Sequence, residues 1–387
     1  MKLPIDLMAV IEAATDIESA RSTPVSVSVL IDDSAPGDVA AHVRSAFVGA
    51  GAHARVTVGY FAGPAFSPYE GDDMAVIVAG FSEEVGRRAA EIRAAGVPVM
   101  VVTSMPRLVA DMASAYGNPI PEGDLVAPEG VEGCEADGDA ACASGEVAGA
   151  HVSVFAGIRA AKSAGAGAAA GSAGAAASSP DALDAPIPID AAAAAALDRR
   201  MGEWVVAACR EKRLALALSF PFVRKPLSLE AVSATSLQNA GIGLVLFIPG
   251  ADMPLMTLNQ AKMLLQIAAA YGEPMSAARV KELAAIVAGG FACRSVARQV
   301  AGAVPAIGWA VKAGVGYAGT KAMGLAAVEY FERGGNIAGL AGVVSSATAK
   351  ATQIAGEVAA TPAGARVLST VKTAVRQGAA SVLKKTE

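Results

Sequence analysis

The sequence predicts a doubly wound α/β domain followed by an all-α helical module, and three observations predict it. Between residues 22 and 160, short β-branched runs alternate with amphipathic stretches. Beyond Pro226, apolar residues recur only at helical spacing. Charge also divides along the chain: residues 1–200 hold 12 Lys and Arg against 26 Asp and Glu (net −14), and residues 201–387 hold 19 against 10 (net +9). Apolar runs too short for helices, each followed by an amphipathic helix, are the pattern of a parallel sheet covered on both faces. With 53% hydrophobic and 17% charged residues, the whole chain is not a disordered solubiliser. The four cysteines (Cys134, Cys142, Cys209, Cys293) form no CxxC, and only His42, His53 and His151 could join them, which excludes a disulfide scaffold or a zinc-finger array.

The elements follow in order. Residues 1–21 predict an N-terminal helix; Asp6, Glu12, Asp16 and Glu18 stand where a secretory signal needs an apolar run, so the N-terminus is expected to stay cytoplasmic. Residues 22–160 predict the α/β domain. Val25–Ile31 (VSVSVLI), bounded by Pro24 and Asp32-Asp33, predicts a strand. A helix-like VAAHVRSAFVGAG leads to strands in 54–61 and 72–81, a helix in 82–96 and a strand in 97–104, with 151–158 (HVSVFAGI) as one more strand. Within this domain 129–147 is an acidic insert, and 161–190 is a linker rich in Ala, Gly and Ser, with almost no side chain to bury. Asp190 predicts the N-cap of a connecting helix over 191–227.

Residues 228–335 predict a helical hairpin module. Ser228 and Glu230 open one helix, and Thr257 with Gln260 has the spacing of a capping box for a second, closed by Gly272. Two further helices meet at the Val304-Pro305 break. Each carries small residues at every fourth position, including Gly289, Cys293 and Ala297 on one and Ala310, Gly314 and Ala318 on the other. Such stripes let helix backbones approach closely. A bilayer span needs about 20 apolar residues. Leu283–Cys293 supplies 11 and Val300–Val311 supplies 12 before Lys312, so hydropathy permits a membrane contact without demanding a span. Residues 336–387 predict basic amphipathic helices. Val367, Leu368, Val371, Val375, Val382 and Leu383 share a face, and Arg366, Lys372, Arg376, Lys384 and Lys385 form the basic one. A membrane surface or the acidic N-terminal half would complement them. Nucleic acid would not, because the basic residues are spread singly without interleaved aromatics.

The chemistry of nucleotide binding is missing. A phosphate loop places Gly-rich amides and a Lys after the first strand. Here that position reads Asp32-Asp33-Ser34-Ala35-Pro36-Gly37-Asp38, whose three carboxylates repel a triphosphate. No GxSxG, HExxH or EF-hand pattern occurs. Asp72-Asp73 reads as a solvated turn, since adjacent carboxylates in a strand point to opposite faces. His42 and His53 read as ordinary surface or core residues. No catalytic, cofactor-binding or metal-binding residue and no small-molecule substrate is assigned.

The block 248–334 resembles the YcjF-type, GTPase-associated bacterial family, whose function is unknown. The marks are Asn259-Gln260, the Tyr271-Gly272 turn, Arg294 through Arg298, Val304-Pro305 with Gly308-Trp309, and Tyr317 to Thr320. The resemblance implies that the front domain is P-loop GTPase-like but lacks the P-loop. The family's Asp-x-x-Gly would fall on Tyr60-Phe61-Ala62-Gly63 and its base-reading motif on Thr103-Ser104-Met105-Pro106, so no catalytic residue carries over. It also implies a place at the cytoplasmic side of the bacterial inner membrane, membrane-associated or multi-pass, with membrane lipids or a membrane protein as partner and a GTPase encoded nearby as another. The expected function is a non-enzymatic interaction protein with a nucleotide-free GTPase-like domain. The alternatives are a GTP-binding protein with an unorthodox site and a soluble helical scaffold.

Overall fold

The computed structural model describes residues 7–62, 71–128, 186–245, 252–274, 308–336, 339–340 and 342. Five parallel strands, β1 (Val25–Ile31), β2 (Ala54–Tyr60), β3 (Met74–Val78), β4 (Val99–Val102) and β5 (Leu125–Val126), form one sheet in the order β2-β1-β3-β4-β5. The α/β class expected from the front half is the one observed. β1 is central: Val27 lies beside Val56 of β2 and Met74 of β3, and Val29 beside Val58 and Val76. Because side chains alternate along a strand, β1 sends Val25, Val27, Val29 and Ile31 to one face and Ser26, Ser28 and Leu30 to the other. Helices α3 (Glu84–Ala94) and α4 (Pro106–Ala115) bury Val85, Ala89, Ile92, Val109 and Ala113 on the face of Leu30. The two-residue β5, after a 3-10 turn at Glu122–Asp124, was not foreseen, because two residues carry no periodicity.

The opposite face is covered by α2 (Gly37–Val48), through Val39, Val43 and Phe47, and by α5 (Ala191–Ala208), through Leu197, Met201, Trp204 and Val205. Asp190 caps α5 as expected, its carboxylate accepting from the Ala193 N–H at 2.8 Å. The single connecting helix expected over 191–227 is instead α5, the short α6 (Arg213–Ser219) and the start of α7 (Pro221–Val245). The helix expected to open at Ser228 begins seven residues earlier and runs through Pro226. Ser228 Oγ caps nothing; it is buried with no hydrogen-bond partner. A proline inside a helix leaves the carbonyl four residues back without its N–H. Here that carbonyl is on Phe222, where Gly202 of α5 packs so closely that a Cβ would lie 2.5 Å from the Phe222 oxygen and 2.7 Å from Pro226 Cγ.

Helix propensity favours Gly202→Ala by about 1 kcal/mol, but overpacking at this contact costs about 1–3 kcal/mol. Urea unfolding of G202A should show a net loss of up to about 2 kcal/mol; a stabilised variant would mean that the two backbones are not in contact.

A second core lies among α1 (Leu7–Arg21), α7, α8 (Asp252–Ala270) and α9 (Gly308–Glu332). The N-terminal helix belongs to it, through Ala14 and Ile17. Arg21 reaches the end of α8, donating to the carbonyls of Glu273 at 2.5 Å and Gly272 at 3.3 Å, where a cation suits the helix C-terminus. Gly272 (φ +87) takes the left-handed conformation that ends α8, as expected. The capping box does not form: α8 starts at Asp252, and Thr257 and Gln260 lie buried inside it. α7 serves both cores, placing Val223 and Leu227 under the sheet and Val232 in the helical core. The α/β and helical parts are therefore joined by shared apolar burial.

Candidate functional site

Open parallel sheets bind ligands outside the carboxyl ends of their strands, at the point where strand order reverses. In this sheet that point lies between β1 and β3. It is built from the loop 32–36 after β1, the residues after β2, the loop 79–83 after β3 and the residues after β4.

Asp32 is turned inward and 3% exposed. Its Oδ1 accepts from the Ser34 N–H (3.0 Å) and hydroxyl (2.9 Å), and its Oδ2 from the N–H groups of Gly80 (2.9 Å) and Ser82 (3.2 Å). Asp33 Oδ2 accepts from the Ala62 N–H at 2.7 Å. Asp38 accepts from the N–H groups of Val39 (2.9 Å) and Ile189 (3.1 Å). The Ser34 hydroxyl accepts from the Phe81 N–H at 2.7 Å. All three carboxylates of the loop thus tie down backbone amides from neighbouring segments. Converging amides form an anion cradle; here the anion is the side chain of Asp32, and the cradle is filled from within.

The chain also crosses this edge. The Ile187 N–H donates to the Ser104 carbonyl at 3.1 Å, so residues 186–190 strap the ends of β4 and α2 before α5 begins. Thr103 and Ser104 are buried at the end of β4, where Thr103 Oγ1 accepts from the Met105 N–H at 3.1 Å. Arg88 of α3 stacks over Phe61 (4.3 Å to the ring centroid) and pairs with Glu84 at 2.8 Å. Tyr60 and Phe81 stand outward, 44% and 50% exposed. Rigid loops bearing exposed aromatics beside carboxylates suit contact with another surface.

At the opposite end of the sheet, the solvated turn expected at Asp72-Asp73 is a buried clamp. Asp72 accepts from the hydroxyls of Ser26 (2.6 Å) and Ser28 (2.5 Å); Asp73 accepts from the Ser26 N–H (2.9 Å) and pairs with Lys212 (2.7 Å). The signal was present: two serines at alternate positions of an otherwise apolar strand share one face and need an acceptor. Burial, with the Asp73 charge as a lesser cause, pushes the Cys209 thiol up to about 12, so it stays protonated and is no nucleophile at neutral pH.

His42 of α2 meets Asp198 of α5 at 2.8 Å. The hydrogen bond to Asp198 raises the imidazole pKa above 6.5, burial opposes this, and the carboxylate's charge adds to it. A raised folded pKa stabilises fully below pH 6.5, and the gain disappears as pH rises through the folded value. Asp198 is 40% exposed, so solvent screening limits the pair to about 1 kcal/mol. Urea midpoints should therefore separate the wild type from Asp198→Asn at pH 5.5 and converge at pH 8.5; a constant gap would show that the charge is irrelevant.

Of the helix-packing residues, Gly289, Cys293 and Ala297 lie outside the described residues. Ala310, Gly314 and Ala318 all lie in α9, and Ala318 is half-buried. Among the residues of α9 whose side chains are described, Gly319, Thr320, Met323, Gly324, Ala327, Val328 and Phe331 are buried. The close approach of α9 to α7 is at Gly324, where a Cβ would lie 2.4 Å from Val232 Cγ2. Arg366, Lys372, Arg376, Lys384 and Lys385 also lie outside the described residues. Three basic side chains of the helical half that are described sit in ion pairs: Lys212 with Asp73, Arg213 with Glu230, and Lys225 with Glu332.

Some residues of the block 248–334 meet in the fold. Asn259, Gln260 and Thr320 join one hydrogen-bonded group, which residue spacing alone does not reveal. The Tyr271 hydroxyl bonds Glu332 at 2.7 Å and its ring stacks on Phe331. No family model, curated protein or solved structure matches this chain. Among the described residues, no helix is long and apolar enough to cross a membrane, and no three His, Cys, Asp or Glu side chains are placed to hold a metal ion.

Proposed function

We propose that this chain is a non-enzymatic, membrane-associated interaction protein. A nucleotide-free, GTPase-like α/β domain serves as its platform, and its helical module contacts a membrane or a membrane protein at the cytoplasmic side of the bacterial inner membrane. One observation carries the first half: the Asp32 carboxylate occupies the amides of Ser34, Gly80 and Ser82, so an incoming phosphate would find its donors taken and a negative charge in place. The exposed Tyr60 and Phe81 beside this rigid edge support a platform for a macromolecular partner, for which a GTPase encoded nearby is the leading candidate. The membrane half rests on the resemblance and on the basic tail.

Isothermal titration with GTP and magnesium should give no heat of binding; a micromolar Kd would replace this function with that of an unorthodox GTP-binding protein. Cell fractionation should recover the chain with membranes. Release by high salt but not by dilution would assign an electrostatic surface contact, and full recovery in the soluble fraction would remove the membrane half. The ion pairs of Lys212, Arg213 and Lys225 favour the soluble scaffold as the second function, since those cations are already neutralised within the fold.

A further inference from the structure

α9 packs along α7 and against α8, and 11 of its 25 residues are Ala or Gly. Small residues give few knobs to mark an axial register; on the described buried face of α9 the large ones are Met323, Val328 and Phe331, with Gly324 set against Val232 of α7. One buried polar group joins the three helices. Asn239 of α7, Gln260 of α8 and Thr320 of α9 are at most 2% exposed. Asn239 Nδ2 donates to Thr320 Oγ1 at 2.9 Å and to the Met256 carbonyl at 3.3 Å; Gln260 Nε2 donates to the same Thr320 oxygen at 2.8 Å. Asn259 Nδ2 donates to Asn239 Oδ1 at 3.1 Å. One hydroxyl is thus shared by amides from two other helices.

We propose that this group is the register key of the helical module, selecting one axial alignment of α7, α8 and α9. Sliding α9 by one turn, about 5.4 Å, carries the Thr320 oxygen away from both amides. Asn239 and Gln260 would then lose that partner while staying buried, a directional penalty that non-directional apolar contacts do not carry. A buried polar group fixing register at some cost in stability is well attested in coiled coils. The key therefore contributes uniqueness more than stability, and it does not depend on whether the front domain binds nucleotide.

The test replaces the key by apolar side chains of similar size in the full-length chain: Asn239→Leu, Gln260→Met and Thr320→Val together. The thermal midpoint should stay within about 3 °C of wild type or rise. Amide hydrogen exchange along α9 should quicken at least tenfold, and methyl NMR signals from Met323 and Val328 should broaden or double. Single sharp signals with wild-type exchange would overturn the proposal, because register would then be set by shape alone. Failure of the triple variant to fold would also overturn it, by making the group a stability element. Thr320→Val alone, which removes the acceptor the two amides share, should lower the midpoint more than the triple substitution does; the reverse order would count against the key.

Discussion

Asp32→Ala should destabilise the α/β domain by about 3–5 kcal/mol, because several buried donors lose their acceptor and each costs about 1–3 kcal/mol when unsatisfied. The carboxylate is buried and accepts from four donors, which Ala leaves facing a void. Asp32→Asn keeps the shape but turns an amide hydrogen toward at least one N–H, so about half of the loss should remain. Because the donors form a cradle once the side chain is gone, formate or acetate at high concentration should restore part of the stability of the Ala variant and do nothing for the wild type. Urea unfolding with and without formate checks both statements. A loss under about 1 kcal/mol would mean that the loop after β1 is held by something other than this carboxylate, and the case for a filled cradle would go with it.

The second large effect belongs to Gly80. A Cβ built there would lie 2.3–2.4 Å from the Ser34 carbon and oxygen and the Ala35 nitrogen, all backbone atoms that no rotamer change can move. Gly80→Ala must therefore displace the loop after β1 or the loop after β3, at a cost of about 3 kcal/mol or more, the upper end of overpacking penalties. The same displacement pulls the Gly80 N–H away from Asp32. The two substitutions share a partner, so the double variant should lose clearly less than the sum of the single losses. Full additivity would show that the close approach and the carboxylate act independently.

The class of the front domain was legible because its signals are local. VSVSVLI, MAVIV and VMVV are too short and too β-branched for helices, and the helices between them carry one apolar stripe each. The cap at Asp190 and the turn at Gly272 were legible for the same reason, since each depends on a few consecutive residues. Three expectations failed where tertiary burial outweighed local signals. Ser228 reads as the opening of a helix, yet α7 begins at Pro221 and continues through Pro226 with Gly202 packed against the freed Phe222 carbonyl. Thr257 and Gln260 have capping-box spacing but are spent on a buried network that needs α9. Asp72 reads as a solvated turn, and only the pairing of β1 with β3 shows it clamping Ser26 and Ser28.

By itself the amino-acid sequence determined that a parallel α/β unit precedes a helical one, and that acidic side chains stand where a phosphate loop would need amides and a cation. Where those carboxylates point was decided by the tertiary structure alone. Ser34 and Val39 supply local donors to Asp32 and Asp38, but the remaining donors to Asp32, Asp33 and Asp38 are distant in sequence. Those long-range partners, Gly80, Ser82, Ala62 and Ile189, come from segments 29 to 151 residues away, and are brought together only when the strands align and α5 closes over the sheet. The reason is physical: a hydrophobic pattern is a property of consecutive residues and survives in a one-dimensional reading, whereas a buried charge is tolerated only if distant backbone donors converge on it.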